Sequence, residues 1–258
     1  MNILILDYSV DRTETAAIRR WLPLRADVTS CFVDADFRLP DDADLAGFTH
    51  VLHSGSALSI LDEAPFEETI AALIRDACVR GIAQMGICYG HQLLCKTLAG
   101  RDAVRASPKG LEAGWCEVEF SDSGRARLGV ARRERVWQHH FDEVTRVPPG
   151  AEVIATNSHT EIQAFIDQER RLLGVQFHPE FDKEEGNQIF SGLSDELRTH
   201  GYQPEGVITG GPSIEAGTIF FDFFLRTFNL DPGEFTTKAT KCTKSSEERG
   251  DKGDEDAR

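Results

Sequence analysis

The chain has 258 residues and carries 43 Asp and Glu against 28 Lys and Arg, a formal charge of −15. This length suffices to bury a sizeable core in one α/β domain, and the acidic balance argues against nucleic acid, whose phosphates need a basic patch. No apolar run is long enough to span a bilayer, so a soluble protein without a membrane partner is expected.

Strand-like and helix-like runs alternate through the first hundred residues. Asn2–Leu6 reads as a buried strand, with no basic leader before it that would mark a signal peptide. Thr13–Leu22 reads as a helix, Asp27–Val33 and Thr49–His53 as strands, and Pro65–Arg80 as a helix with Pro65 suited to its first turn. The apolar run from Gly81 to Ile87 is a further strand, and His91–Ala99 has helical spacing before a stop at Gly100. Such alternation predicts an open, mostly parallel α/β sheet with helices on both faces. From Ala103 the pattern changes to short strands (Trp115–Phe120, Arg135–His139, Glu152–Thr156, Ile162–Ile166 and Leu172–Phe177) broken by turns such as Asp122-Ser123-Gly124. These predict an antiparallel extension covering the site. Helices over Lys183–His200 and Ser213–Asn229 close a domain of residues 1–230, the last with a core-facing aromatic stripe. Residues 231–258 are polar and read as a disordered tail.

The six cysteines (Cys31, Cys78, Cys88, Cys95, Cys116 and Cys242) show no Cys-x-x-Cys spacing, which sets aside a disulfide framework and fits a reducing cytoplasm. One of them stands apart. Gly86-Ile87-Cys88-Tyr89-Gly90 sits between the strand and the helix, the pattern of a nucleophile elbow. A sharp strand-to-helix turn needs small neighbours two positions away, which Gly86 and Gly90 supply. Cys88 would lie at a helix N-terminus, where the dipole favours the thiolate, and the Tyr89 backbone N–H would serve as an oxyanion donor.

A thiol attacking a carbonyl needs a base, and the base needs a group to orient it. Gly174-Val175-Gln176-Phe177-His178-Pro179-Glu180 offers both in His178 and Glu180, which share a face if the strand continues through them. His139, His140, His159 and His178 could also suggest a metal site. Adjacent His139 and His140 would face opposite sides of a strand, however, so neither metal nor other cofactor is expected.

Taken together, Gly-Ile-Cys-Tyr-Gly-His-Gln and Gly-Val-Gln-Phe-His-Pro-Glu resemble the class I (triad-type) glutamine amidotransferase domains, over Met1 to about Leu230. The resemblance implies a flavodoxin-like open sheet. It also implies that Cys88 attacks the side-chain amide of glutamine, with His178 as base and acid and Glu180 orienting it. Gly55 matches the glycine of the family's oxyanion loop. That loop usually has paired glycines and a proline, whereas here Ser54 and Ser56 flank one glycine, as in the stand-alone, GMP-synthase-like branch. Gln92 matches a position that contacts the substrate. Trp137 to Asp142 resembles the segment that holds the substrate's α-amino and α-carboxyl groups, with His139 in place of a serine and Phe141 in place of a glycine. The resemblance further implies ammonia transfer to an acceptor on a separate ATP-dependent synthetase, since no synthetase domain is visible in the chain. A stand-alone γ-glutamyl peptidase and a non-catalytic regulatory or interaction domain are the alternatives.

Overall fold

The computed structural model describes residues 1–33 and 45–228. The expected tail and Cys242 lie outside the described residues. A nine-stranded sheet organises the chain, in the order β2-β1-β3-β4-β11-β10-β9-β6-β7. Its parallel half contains β1 (Asn2–Asp7), β2 (Asp27–Phe32), β3 (His50–His53), β4 (Ala83–Ile87) and β11 (Leu172–Val175). Its antiparallel half contains β10 (Ala164–Asp167), β9 (Glu152–Thr156), β6 (Glu112–Phe120) and β7 (Arg133–His140). A separate ribbon pairs β5 (Val104–Ala106) with β8 (Asp142–Val144).

The period of two in β1 divides the core. Ile3 and Ile5 pack toward α1 (Glu14–Arg19) and α8 (Ala216–Thr227), while Leu4 and Leu6 pack toward α2 (Glu67–Arg80) and α3 (Tyr89–Ala99). Helices thus cover both faces, as the alternation predicts. The aromatic stripe is core: Phe220, Phe221 and Phe224 are fully buried.

Three expectations are corrected. The antiparallel strands continue the main sheet instead of lying over the site. The helix expected over Lys183–His200 is two, α5 (Lys183–Gly192) and α6 (Ser194–Thr199), broken at Leu193. Asp122-Ser123-Gly124 opens a helix, α4 (Asp122–Leu128), because the Ser121 hydroxyl caps it by accepting from Gly124 N–H. A short α7 (Pro204–Ile208) lies before α8.

Candidate active site

Cys88 stands between β4 and α3 with φ +48° and ψ −103°, a strained conformation for a residue with a side chain. Its neighbours explain why the turn closes. A Cβ on Gly86 would lie 2.5 Å from the Gly90 carbonyl group, and one on Gly90 would run into the His53 carbonyl oxygen. The elbow needs glycine at both places. Cys88 N–H donates to Val175 O at 2.8 Å, tying the elbow to β11, the strand that leads to His178.

His178 follows β11 in a turn, not in the strand the sequence suggests, and the turn brings its Nδ1 to 2.6 Å from Glu180 Oε1. The ring is held on all sides. Phe181 stacks on it at 5.3 Å and 15°, and Trp137 meets it edge-on at 4.9 Å and 88°. Its backbone N–H donates to Trp137 O at 3.0 Å. The Glu180 carbonyl accepts from Trp21 Nε1 at 2.9 Å and from the Arg20 guanidinium.

Burial dominates the electrostatics. It lowers the His178 pKa to about 4, so the imidazole is neutral near pH 7, where it can accept a proton. Burial pushes the Glu180 carboxyl upward, although a hydrogen bond from Glu14 opposes this. The expected thiolate is corrected. Burial, followed by the carboxylates of Glu14 and Glu180, drives the Cys88 pKa upward against the Tyr89 N–H, and the thiol stays protonated. The sulfur donates to His139 O at 3.9 Å, and no hydrogen bond joins it to His178.

The oxyanion candidates are near. The Tyr89 N–H bears on the Cys88 sulfur. Gly55 packs on His178, where an added Cβ would lie 2.7 Å from Cε1. The serines beside it fix the loop to Tyr8: Ser54 Oγ accepts from Tyr8 N–H, and Ser56 Oγ donates to Tyr8 O, each at 2.8 Å. Two hydroxyl tethers thus hold this loop.

Cys88 and His178 line one cavity of about 560 Å³, together with Gln92, His139, His140 and Phe141. Glu180 is fully buried outside that lining. The acidic residues along the cavity wall are Asp11, Glu14, Asp142 and Glu196, with no lysine or arginine lining it among the described residues, and Phe181, Ile189 and Leu193 wall the side formed by α5 and α6. Gln92 Nε2 donates to Asp142 O at 2.9 Å and so braces the 137–142 segment. Asp142 Oδ2 accepts from Ser59 Oγ at 2.7 Å and Ile60 N–H at 3.1 Å and so braces the loop that carries them. His139 Nε2 lies 3.2 Å from Glu196, while His140 turns to Glu112 at 3.0 Å, so the two adjacent histidines do not converge.

Sequence reasoning missed several contributors. Glu112 Oε2 also accepts from Gln163 at 3.0 Å, and Oε1 from Asn157 at 2.6 Å, building a buried network beneath His140. Burial opposes ionisation of Glu112, but His140, His159 and Asn157 hold its carboxyl below the usual range. Glu14 lies beside His178 and Glu180, one ligand atom from each of the three falling within 4.8 Å of the others. A glutamate in the first turn of a helix reads in sequence as a dipole partner, so nothing local marks it. Phe181 carried a signal in its position directly after Glu180.

A cysteine elbow and a histidine–glutamate pair just past the ends of two adjacent parallel strands define a class: α/β domains that present a thiol and an imidazole to one pocket. Known proteins identify it further. The glutamine amidotransferase class-I family model matches residues 13–193, more than half of the chain. The chain is 39% identical over 137 residues to a GMP synthase (glutamine-hydrolyzing) from Symbiobacterium thermophilum, covering 52% of this chain but only 25% of that longer protein. It is 30% identical over 151 residues to one subunit of a GMP synthase (glutamine-hydrolyzing) from Sulfolobus acidocaldarius, covering 58% of this chain and 77% of that one. A glutamine amidotransferase from Thermotoga maritima shares the fold, with a TM-score of 0.74 at 21% identity over 89% of this chain and 99% of that one. The chain belongs to the class-I glutamine amidotransferase family.

Proposed function

We propose that the protein hydrolyses the side-chain amide of glutamine through a thioester on Cys88 and delivers the ammonia to a separate ATP-dependent synthetase. Cys88 attacks the amide carbon as His178 takes the thiol proton, and Glu180 steadies the imidazolium that forms. The N–H groups of Tyr89 and Gly55 receive the oxyanion. His178 returns the proton to the amide nitrogen, ammonia leaves, and a water deprotonated by His178 releases glutamate from the thioester. Because Phe181, Trp137 and Glu180 hold the ring, the sulfur makes the approach, leaving its His139 carbonyl contact. Catalytic hydrogen bonds commonly tighten in this way when substrate binds.

The observation that carries this reading is the shared cavity of Cys88 and His178, with Glu180 bonded to the imidazole. The synthetase partner is supported by relatives that are named as one subunit of a glutamine-hydrolyzing GMP synthase. Among the described residues the cysteines are free, which supports a reducing cytoplasmic setting, and no helix there is long and apolar enough to cross a membrane. The test is ammonia release from glutamine by wild type and Cys88→Ala, with and without a candidate synthetase. Wild-type turnover that the alanine variant lacks is expected, and full activity in that variant overturns the proposal.

One observation favours a second reading, a stand-alone hydrolase of larger γ-glutamyl amides. The cavity falls in the range of roughly 300–1,000 Å³ that holds drug-sized ligands, which is generous for one amino acid. Its acidic lining suits an amine-bearing leaving group. Parallel assays of glutamine and γ-glutamyl amides of diamines separate the readings by their kcat/KM.

A further inference from the structure

We infer that Glu14 is a positioning residue of this site: its carboxylic acid donates a hydrogen bond to the Glu180 carboxylate and so fixes the group that orients His178. The inference rests on the roles proposed above for Glu180 and His178.

The geometry carries it. Glu14 opens α1, is only 7% exposed and lines the cavity. Oxygens of Glu14 and Glu180 and a nitrogen of His178 lie mutually within 4.8 Å. Among the described residues, no lysine or arginine pairs with either carboxyl. Arg20, from the same helix, turns to the Glu180 backbone carbonyl and to Asp182 and Glu185. Asp7, at the end of β1, faces Glu14 but is taken up by Ser9 and by Thr15 N–H at 2.8 Å. Glu185 on α5 faces Glu180, His140 on β7 faces His178, and Cys88 faces both acids from the elbow.

Two buried acids this close, with an imidazole between them and the nearest cation, Arg20, bonded to the Glu180 backbone and to Asp182 and Glu185 and not to either carboxyl, cannot both ionise cheaply, so they share a proton. Glu180 already accepts from His178 Nδ1, which favours its ionised form, and Glu14 Oε2 and Glu180 Oε2 are both buried polar atoms whose hydrogen bonding is unmet unless a proton lies between the two acids. The proton therefore rests on Glu14. Burial and the Glu180 charge both raise the Glu14 pKa, in keeping with this placement. A neutral Glu14 supports Glu180 without adding a second negative charge, which would draw His178 toward the imidazolium and spoil it as a base.

Glu14→Gln keeps a neutral donor, whereas Glu14→Ala removes it. The measurements are thermal melting, kcat and KM for glutamine across pH 5–10 (about the working range set by His and Tyr model values), and the rate of Cys88 alkylation by iodoacetamide over the same range. Glu14→Gln should keep kcat within about threefold of wild type near neutrality and lack the alkaline decline caused by Glu14 ionisation, whereas Glu14→Ala should melt cooperatively and lose at least about tenfold in kcat with little change in KM. Wild-type kcat in Glu14→Ala, or a Glu14→Gln variant as impaired as Glu14→Ala, overturns the inference. The alkylation profile separates it from the functional reading. Absence of wild-type turnover overturns the function, while an alkylation rate near neutrality that Glu14→Ala shares with wild type overturns the role of Glu14.

Discussion

Gly55 faces His178 so closely that one added methyl group would lie 2.7 Å from Cε1 and 3.4 Å from Nδ1. Its φ is not positive, so glycine is required here for room and not for backbone freedom. The ring cannot yield readily, because Phe181 and Trp137 hold it. Gly55→Ala should therefore leave the fold intact by circular dichroism and lower kcat/KM about 100-fold, the usual effect of displacing a reacting group by about 1 Å. Activity within twofold of wild type would count against this account of the loop.

Gly90→Ala tests the elbow. The new Cβ would meet the backbone carbonyl of His53, which β3 holds in place. A loss of about 3 kcal/mol, the upper part of the range for overpacking, is expected in urea unfolding. A smaller loss for Gly90→Ala than for Gly129→Ala, where an added Cβ meets nothing within 4 Å despite a φ of +69°, would contradict it.

Glu112→Ala should act on the pocket from below. It leaves His140, Asn157 and Gln163 without their acceptor. Removing one member of such a buried charged set costs about 3 kcal/mol or more in stability, and the loosened 137–142 segment should raise KM for glutamine more than it lowers kcat. Unchanged KM in a folded variant would remove Glu112 from the support of the pocket.

Acidification should destabilise the protein before its carboxylates titrate. Burial lowers His50, His53 and His178 to about 4, with the N-terminal amine and Arg171 adding to the effect at His50. The unfolded chain then binds protons first, so stability falls as pH drops from about 6.5 toward 4, by up to about 3 kcal/mol for each histidine. The Glu14–Glu180 pair works in the opposite sense. Burial lets the folded pair keep one shared proton above the usual carboxylate range, so its contribution declines as pH rises from about 4.5. Urea midpoints measured from pH 4.5 to 8 should show the acid loss, and His53→Gln should flatten it. A pH-independent midpoint below pH 6.5 would refute the burial argument.

The parts of the site legible in sequence obey short-range rules. Gly86 and Gly90 must be small because the elbow folds back on itself, and His178 meets Glu180 because two positions separate them in either a strand or a turn. What was not legible depends on distant packing. The helix dipole at Cys88 is local and favours thiolate, but the opposing carboxylates arrive from α1 and from beyond β11. Glu112 becomes a support only when β6, β7 and the 157–163 segment converge on it. In the fold, the βα alternation gave the parallel half, since each run has its own period. The break at Leu193 and the helix after Ser121 turn on individual caps, which composition does not rank.

Strands β4 and β11 are direct neighbours, with Ile87 opposite Val175, although β5 to β10 intervene in the chain. Everything in residues 104–167 is thus an excursion that leaves the paired strands and returns to them. It supplies one wall of the pocket while the ladder beneath fixes the spacing of sulfur and imidazole. Reshaping this excursion away from Trp137 and His139, which touch the imidazole and the sulfur, should accordingly change which molecule is admitted and leave the reacting pair where it stands, an arrangement that separates choice of guest from chemistry.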